Sequence, residues 1–159
     1  MTNKTILITG ATRGIGWAIA QAAAQENYHV ILNGRDSEQL ALRVKMLKNN
    51  YPDSKIDALL FDVTDRVAIA QAALSVGKID VLINNAGIAL DNWWTKMSPN
   101  DWDDVIATNL TGVFNVTHFL TDNIKDGGQI VMMTSRSAML GNMGQANYAA
   151  SKAGLIALT

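Results

Sequence analysis

The chain contains no cysteine, and only two of its 159 residues are proline. Without cysteine there are no disulfides and no thiolate metal sites, which fits a reducing compartment. No metal site is assigned. Charge is also scarce. Charged residues make up 17% and the formal net charge is -1, so nothing in the electrostatics favours nucleic acid or an anionic membrane surface. No apolar run approaches the roughly 20 residues of a membrane span. The opening Met1-Thr2-Asn3-Lys4 lacks the basic-then-apolar layout of a secretory signal. A cytoplasmic protein with neither a membrane nor a nucleic-acid partner is expected. What the chain does have is apolar content, 48%, which suits a packed globule and not a disordered segment. The length suits one domain over residues 1–159, able to bury about two-thirds of its unfolded surface.

Short continuous apolar runs alternate with helix-like stretches. Thr5 to Thr9, His29 to Asn33, Ile56 to Phe61, Ile79 to Ile83 and Gln129 to Thr134 read as strands. Runs without polar alternation belong to strands covered on both faces, and helices separate them, so the fold class is α/β with a parallel sheet. Ile15 to Glu26 reads as an alanine-rich helix. Asp36 or Ser37 caps a second helix that runs to about Asn50, where Tyr51-Pro52-Asp53 breaks it. Thr64 caps a third from Asp65 to Ser75. A polar loop covers Asn84 to Pro99, a long helix spans Asp101 to Asn123, and Gly127-Gly128 turns into the fifth strand. A last helix starts near Asn147. Trp93 and Trp94 fall in the polar loop, either partly buried against the sheet edge or a partner chain, or walling a substrate pocket.

Gly10, Gly14 and Gly16 follow the first strand and open the first helix. Glycine lets backbone turn tightly and approach a pyrophosphate, and a helix N-terminus adds amide donors. The spacing Gly-x3-Gly-x-Gly differs from the common Gly-x-Gly-x-x-Gly. At the end of the second strand, where an acid would bind a ribose 2′-hydroxyl, stands Asn33-Gly34-Arg35. Arg35 there and Arg13 in the turn favour NADP(H) over NAD(H), because both can pair with a 2′-phosphate. The alternatives are that both are solvated surface arginines, or that Asp36 supplies the acid for NAD.

Tyr148 and Lys152 lie one helical turn apart in Tyr148-Ala149-Ala150-Ser151-Lys152. A phenol titrating at about 10 is a poor acid at neutral pH, and a neighbouring ammonium stabilises the phenolate. Reduction of a ketone needs a hydride on carbon and a proton on oxygen, and Tyr148 is the candidate donor of that proton. Ser135, at the end of the fifth strand, is placed to hold the carbonyl oxygen. Ser137 is a rival for that role. Taken singly, each residue has an ordinary reading: a surface pair on a helix for Tyr148 and Lys152, a strand-end cap for Ser135.

With Thr9-Gly10-x3-Gly14-x-Gly16, Asp62-Val63, Asn84-Asn85-Ala86-Gly87, Asn109 in Thr108-Asn109-Leu110, Ser135 and Tyr148-x3-Lys152 in this order, the chain resembles the short-chain dehydrogenase/reductase family over its whole length. The resemblance implies a Rossmann-type doubly wound parallel sheet in the order 3-2-1-4-5. It implies a catalytic set of Asn109, Ser135, Tyr148 and Lys152, with Asn109 holding a water and Lys152 also bonding the nicotinamide ribose. It implies a cofactor held by Gly10, Thr12, Arg13, Gly14, Ile15 and Gly16, by Arg35, Asp62 and Val63, by Asn84, Ala86 and Gly87, and by Tyr148 and Lys152. Two stretches, Asn84 through Asn92 and Gly141 through Lys152, are similar to 3-oxoacyl-[acyl-carrier-protein] reductases.

Family members run to roughly 240 to 260 residues, as single α/β domains of this kind do, and carry two more strands, a Pro-Gly stretch and a helical lid. The resemblance therefore implies a dinucleotide-binding domain shortened at its C-terminus, with strand five as an open edge. Two functions remain open: an NADPH-dependent reductase of a small carbonyl substrate or acyl thioester, or a non-catalytic nucleotide-binding module acting through assembly. The resemblance also implies a homodimer or homotetramer, built on the Asp101–Asn123 and Tyr148 helices.

Overall fold

The computed structural model of the chain describes residues 4–159. Met1-Thr2-Asn3, part of the N-terminal stretch with no secretory layout, lie outside the described residues. The chain runs β1 (Thr5–Ile8), α1 (Gly14–Gln25), β2 (His29–Gly34), α2 (Ser37–Asn50), β3 (Ile56–Leu60), α3 (Arg66–Ser75) and β4 (Ile79–Asn84). It continues with α4 (Pro99–Ile106), a π-helical turn (Ala107–Thr111), α5 (Gly112–Leu120), a 3-10 turn (Thr121–Asn123), β5 (Ile124–Met132), α6 (Ser137–Leu140) and α7 (Ala146–Leu158). The sheet order is β3-β2-β1-β4-β5, every pairing is parallel, and helices flank the sheet.

The apolar runs explain why the sheet is covered on both sides. Successive strand residues point to opposite faces. Ile6, Ile8, Val30 and Leu32 pack with Ala20, Ala23, Leu40 and Leu47 of α1 and α2. Leu7, Ile31 and Leu82 pack instead with Ile69 of α3 and with Val116 and Leu120 of α5. Each central strand therefore fills two cores, which an alternating strand could not do.

Several elements differ from the sequence reading. The cap of α3 is Asp65, whose side chain accepts the amides of Val67 and Ala68. Thr64 instead donates both its amide and its hydroxyl to Asp62. The predicted long helix is four pieces, α4, the π-helical turn, α5 and the 3-10 turn, and the π-helical turn sets the Gly112 amide on the Ala107 carbonyl. Strand β5 starts at Ile124. Gly127 has φ of 75°, and the β4 register jumps between Ile79 and Val81, so the glycines make a bulge inside the strand and not a turn before it. The short helix α6 was not expected. Trp93 and Trp94 are 60% and 76% exposed, so most of each side chain is left uncovered by the rest of the chain.

Candidate active site

The sheet order reverses between β1 and β4, and parallel sheets of this type open a crevice at that point beyond their carboxyl ends. Buried Thr9 closes the floor. Its hydroxyl donates to Ile83 O (3.3 Å) and accepts the amides of Asn85 (2.9 Å) and Ala86 (3.0 Å). The Asn85 side-chain amide donates to Thr9 O (2.9 Å) and Gly10 O (3.2 Å), so the ends of β1 and β4 are stitched together. Gly10 has φ of 61°, and a Cβ there would lie 2.8 Å from Ala86 Cα. Only glycine fits this turn. Asn33 ties in the other side. Its Oδ1 accepts the Gly10 amide, and its Nδ2 donates to Leu59 O and Phe61 O.

These bonds shape a hollow of about 290 Å³. Of the residues expected to hold a cofactor, Gly10, Thr12, Arg13, Gly14, Ile15, Arg35, Asp62, Val63, Ala86 and Gly87 line it. Gly16 lies beneath the turn, where a Cβ would meet Gly10 O and the Asn85 amide. Asn84 does not line the hollow. It is buried, its amide donates to Thr117 Oγ1 (3.0 Å), and its Oδ1 has no partner. Its neighbour Asn85 lines the hollow instead, with Asn33, Gly34, Phe61, Ile88 and Thr108, none of them expected. The Arg35 guanidinium meets Asp62 Oδ2 at 3.3 Å across the rim. Burial works to raise the Asp62 carboxyl, but the Thr64 amide and hydroxyl and the Arg35 guanidinium hold it below the usual carboxylate range.

A second hollow adjoins the first, sharing Ile15, Asn85, Gly87 and Ile88. Ser135, Tyr148 and Lys152 line it together, which brings three of the four expected catalytic residues to one place. Lys152 is only 4% exposed. Its Nζ donates to Met133 O (2.7 Å) and lies 5.7 Å from the centre of the Tyr148 ring. Burial pushes the Lys152 ammonium below its ordinary pKa. The Ser135 hydroxyl accepts the Ser137 amide (3.2 Å), and its own hydrogen has no acceptor among the described residues. The Ser137 hydroxyl is engaged with Gln145 Oε1 (3.0 Å). Gln145 Nε2 in turn donates to Asp91 Oδ2 (2.8 Å), and the Asn92 amide donates to Gly144 O (2.9 Å). The two stretches singled out in the sequence thus meet across this hollow.

Asn109 sits apart from these three. It is fully buried in the π-helical turn and lines neither hollow. Its Oδ1 accepts the Ile88 amide and its Nδ2 donates to Ile88 O, both at 2.8 Å, with a longer contact to Ser151 Oγ. A Cβ on Gly87 would lie 3.1 Å from Asn109 Oδ1 and 3.6 Å from Lys152 Nζ, so both groups flank the same glycine. Gln145 and Asn33 carry much of this geometry. Their signal in the sequence was position alone, beside Tyr148 and at the end of a strand.

A parallel sheet in this order, a glycine turn at its switch point and a tyrosine–lysine pair beside it define a dinucleotide-fold protein. Residues 4–159 match the family model described as short chain dehydrogenase, and the chain belongs to that family. It is 43% identical to a 3-oxoacyl-[acyl-carrier-protein] reductase of Staphylococcus aureus, over 98% of this chain and 65% of that one. It is 42% identical to the reductase of the same name from Thermotoga maritima and 40% identical to an acetoacetyl-CoA reductase of Rhizobium meliloti. Among solved structures it resembles a putative short-chain alcohol dehydrogenase from Sinorhizobium meliloti, with a TM-score of 0.89 and 33% identity over 100% of this chain and 65% of that one. A putative gluconate dehydrogenase from Agrobacterium tumefaciens gives 0.88 and 30%, over 98% of this chain and 63% of that one. The chain spans about two-thirds of the length of these relatives (65% of the first).

Proposed function

We propose that the chain carries the nucleotide site and acid–base residues of an NADPH-dependent ketone reductase, with 3-oxoacyl thioesters as the substrate class. One observation carries the reading: a buried ammonium, Lys152, stands beside Tyr148 in the hollow that Ser135 also lines, next to the glycine turn. The first hollow suits a dinucleotide, since the glycine turn lines it and two arginines stand on its rim. A nicotinamide dinucleotide, when bound, supplies the hydride. The protein's residues do the rest. The Ser135 hydroxyl, whose hydrogen is free, donates to the substrate carbonyl oxygen. Tyr148 gives that oxygen its proton, and Lys152 stabilises the phenolate left behind. Arg13 and Arg35 select the 2′-phosphate. The names of the reductases at 40–43% identity support the thioester class. Cytoplasmic location and a homo-oligomer belong to the same proposal. No helix among the described residues is long and apolar enough to cross a membrane.

The test uses the chain with NADPH and acetoacetyl-CoA, following loss of the reduced nicotinamide absorbance. Tyr148→Phe should cut turnover by about 10²–10⁴-fold while nucleotide affinity stays within about twofold, because only the proton is lost. Lys152→Ala should lower both. If Tyr148→Phe keeps most of the rate, Tyr148 is not the acid. Nucleotide binding without any turnover would favour a non-catalytic module.

A further inference from the structure

Helix α2 holds the glycine turn from behind. Arg43 Nε donates to the Thr12 carbonyl at 2.8 Å. The Arg43 guanidinium carbon lies 4.8 Å from the centre of the Trp17 ring on α1, and a terminal nitrogen reaches Met46 Sδ at 3.5 Å. No carboxylate pairs with Arg43 among the described residues. Arg43 is half-buried and outside the first hollow, whereas Thr12 and Arg13 line it. The Thr12–Arg13 peptide also sits beside the end of β2, because a Cβ on Gly34 would come within 2.8 Å of Thr12 Cγ2. That corner is where a ribose 2′-substituent is read in this kind of sheet. In a trans peptide the carbonyl and the next amide point opposite ways. Fixing the Thr12 oxygen on Arg43 therefore turns the Arg13 amide away from α2. That amide has no acceptor among the described residues.

We propose that Arg43 is a positioning residue for nucleotide choice: it sets the Thr12–Arg13 peptide so that the Arg13 amide and guanidinium meet a 2′-phosphate that Arg43 itself never touches. This rests on the NADPH reading above. Trp17 serves the same end. Its ring face holds the guanidinium plane so that Nε, and not only a terminal nitrogen, faces the turn. Arg35 works from the other wall, already engaged with Asp62.

Calorimetry on the 159-residue chain tests this with 2′,5′-ADP against 5′-AMP and NADPH against NADH. Arg43→Met should weaken 2′,5′-ADP and NADPH by about tenfold and the other two by less than about twofold. Arg43→Lys keeps the charge without the planar fork and should fall between wild type and Arg43→Met. A merely structural arginine would lower the unfolding midpoint and weaken all four ligands alike, or change none, and either result overturns the proposal. If the wild-type chain shows no preference for the 2′-phosphate, the NADPH reading falls and this proposal with it. If that preference is present and survives in Arg43→Met, only the role of Arg43 falls. Should Arg43→Met fail to fold, Arg43→Lys decides: selectivity reduced supports the proposal, selectivity unchanged defeats it.

Discussion

Burying the Lys152 ammonium costs free energy, because one carbonyl, Met133 O at 2.7 Å, stands in for the water it gave up. Its pKa lies below the ordinary 10.5, with burial as the cause. The charged form is therefore disfavoured in the folded state. That destabilisation is fully present below the folded-state pKa and disappears as pH rises toward 10.5, where the unfolded chain also loses the proton. Lys152→Met should accordingly stabilise the nucleotide-free protein at pH 7 by about 1 kcal/mol, a common trade at functional sites. The gain should shrink as the pH climbs. Urea midpoints between pH 7 and 10 check this, and a gain that stayed constant with pH would rule out the ammonium as its source. At this scale the sequence was informative where spacing alone decides. Four residues on one helix bring Tyr148 and Lys152 together. It named Ser135 with Ser137 as the rival, and the bond between the Ser137 hydroxyl and Gln145 is a contact that spacing does not show. Asn84 and Asn85 look alike in the sequence, and the end of β4 turns the first into the protein and the second toward the cleft.

Among the elements, the π-helical turn between α4 and α5 has the clearest consequence. It inserts Asn109 against the loop after β4, where its side-chain amide satisfies both polar groups of Ile88 at 2.8 Å. Ile88 lines both hollows, so Asn109 supports the site although it lines neither. Asn109→Leu keeps the volume and leaves the half-buried amide and carbonyl of Ile88 without their partner. Stability should fall by about 2–4 kcal/mol, measured by urea unfolding, and nucleotide affinity should fall with it. Unchanged stability would mean that the loop finds other partners. The sequence could not reveal this turn. One extra residue per helical turn barely changes apolar spacing, so Asp101 to Asn123 read as one helix. Gly127 and Gly128 misled for a related reason. Glycine marks backbone that needs unusual angles, and a bulge inside β5 needs them as much as a turn before it. Strands β1, β2 and β4 were legible because their apolar runs feed cores on both faces of the sheet, a pattern that loops do not imitate.

On the scale of the whole molecule, several large apolar groups among the described residues are exposed, and two sets of them lie on faces that a second copy could cover. One spans the helices: Trp102 on α4, Phe114 on α5 and Ile156 and Leu158 on α7 are all exposed, with Phe114 stacked on His118 at 5.6 Å. The other is β5, which pairs only with β4 and exposes Ile130 and Val131. An open strand carries unpaired backbone groups, and a helix face carries area, so each could recruit a second copy. The helix face should dominate. Its large side chains come from three elements already fixed by packing, so little side-chain freedom is lost on contact, and each large apolar group buried contributes about 1.5–3 kcal/mol. An edge pairing across β5 would have to accommodate the bulge at Gly127, which twists the strand and interrupts its ladder. Light scattering at micromolar concentration should therefore find a dimer or tetramer. Phe114→Glu should convert it to monomer, whereas Ile130→Lys should leave it assembled. The reverse pattern would put the contact on the sheet edge, and a wild-type monomer would remove both surfaces as sites of self-association.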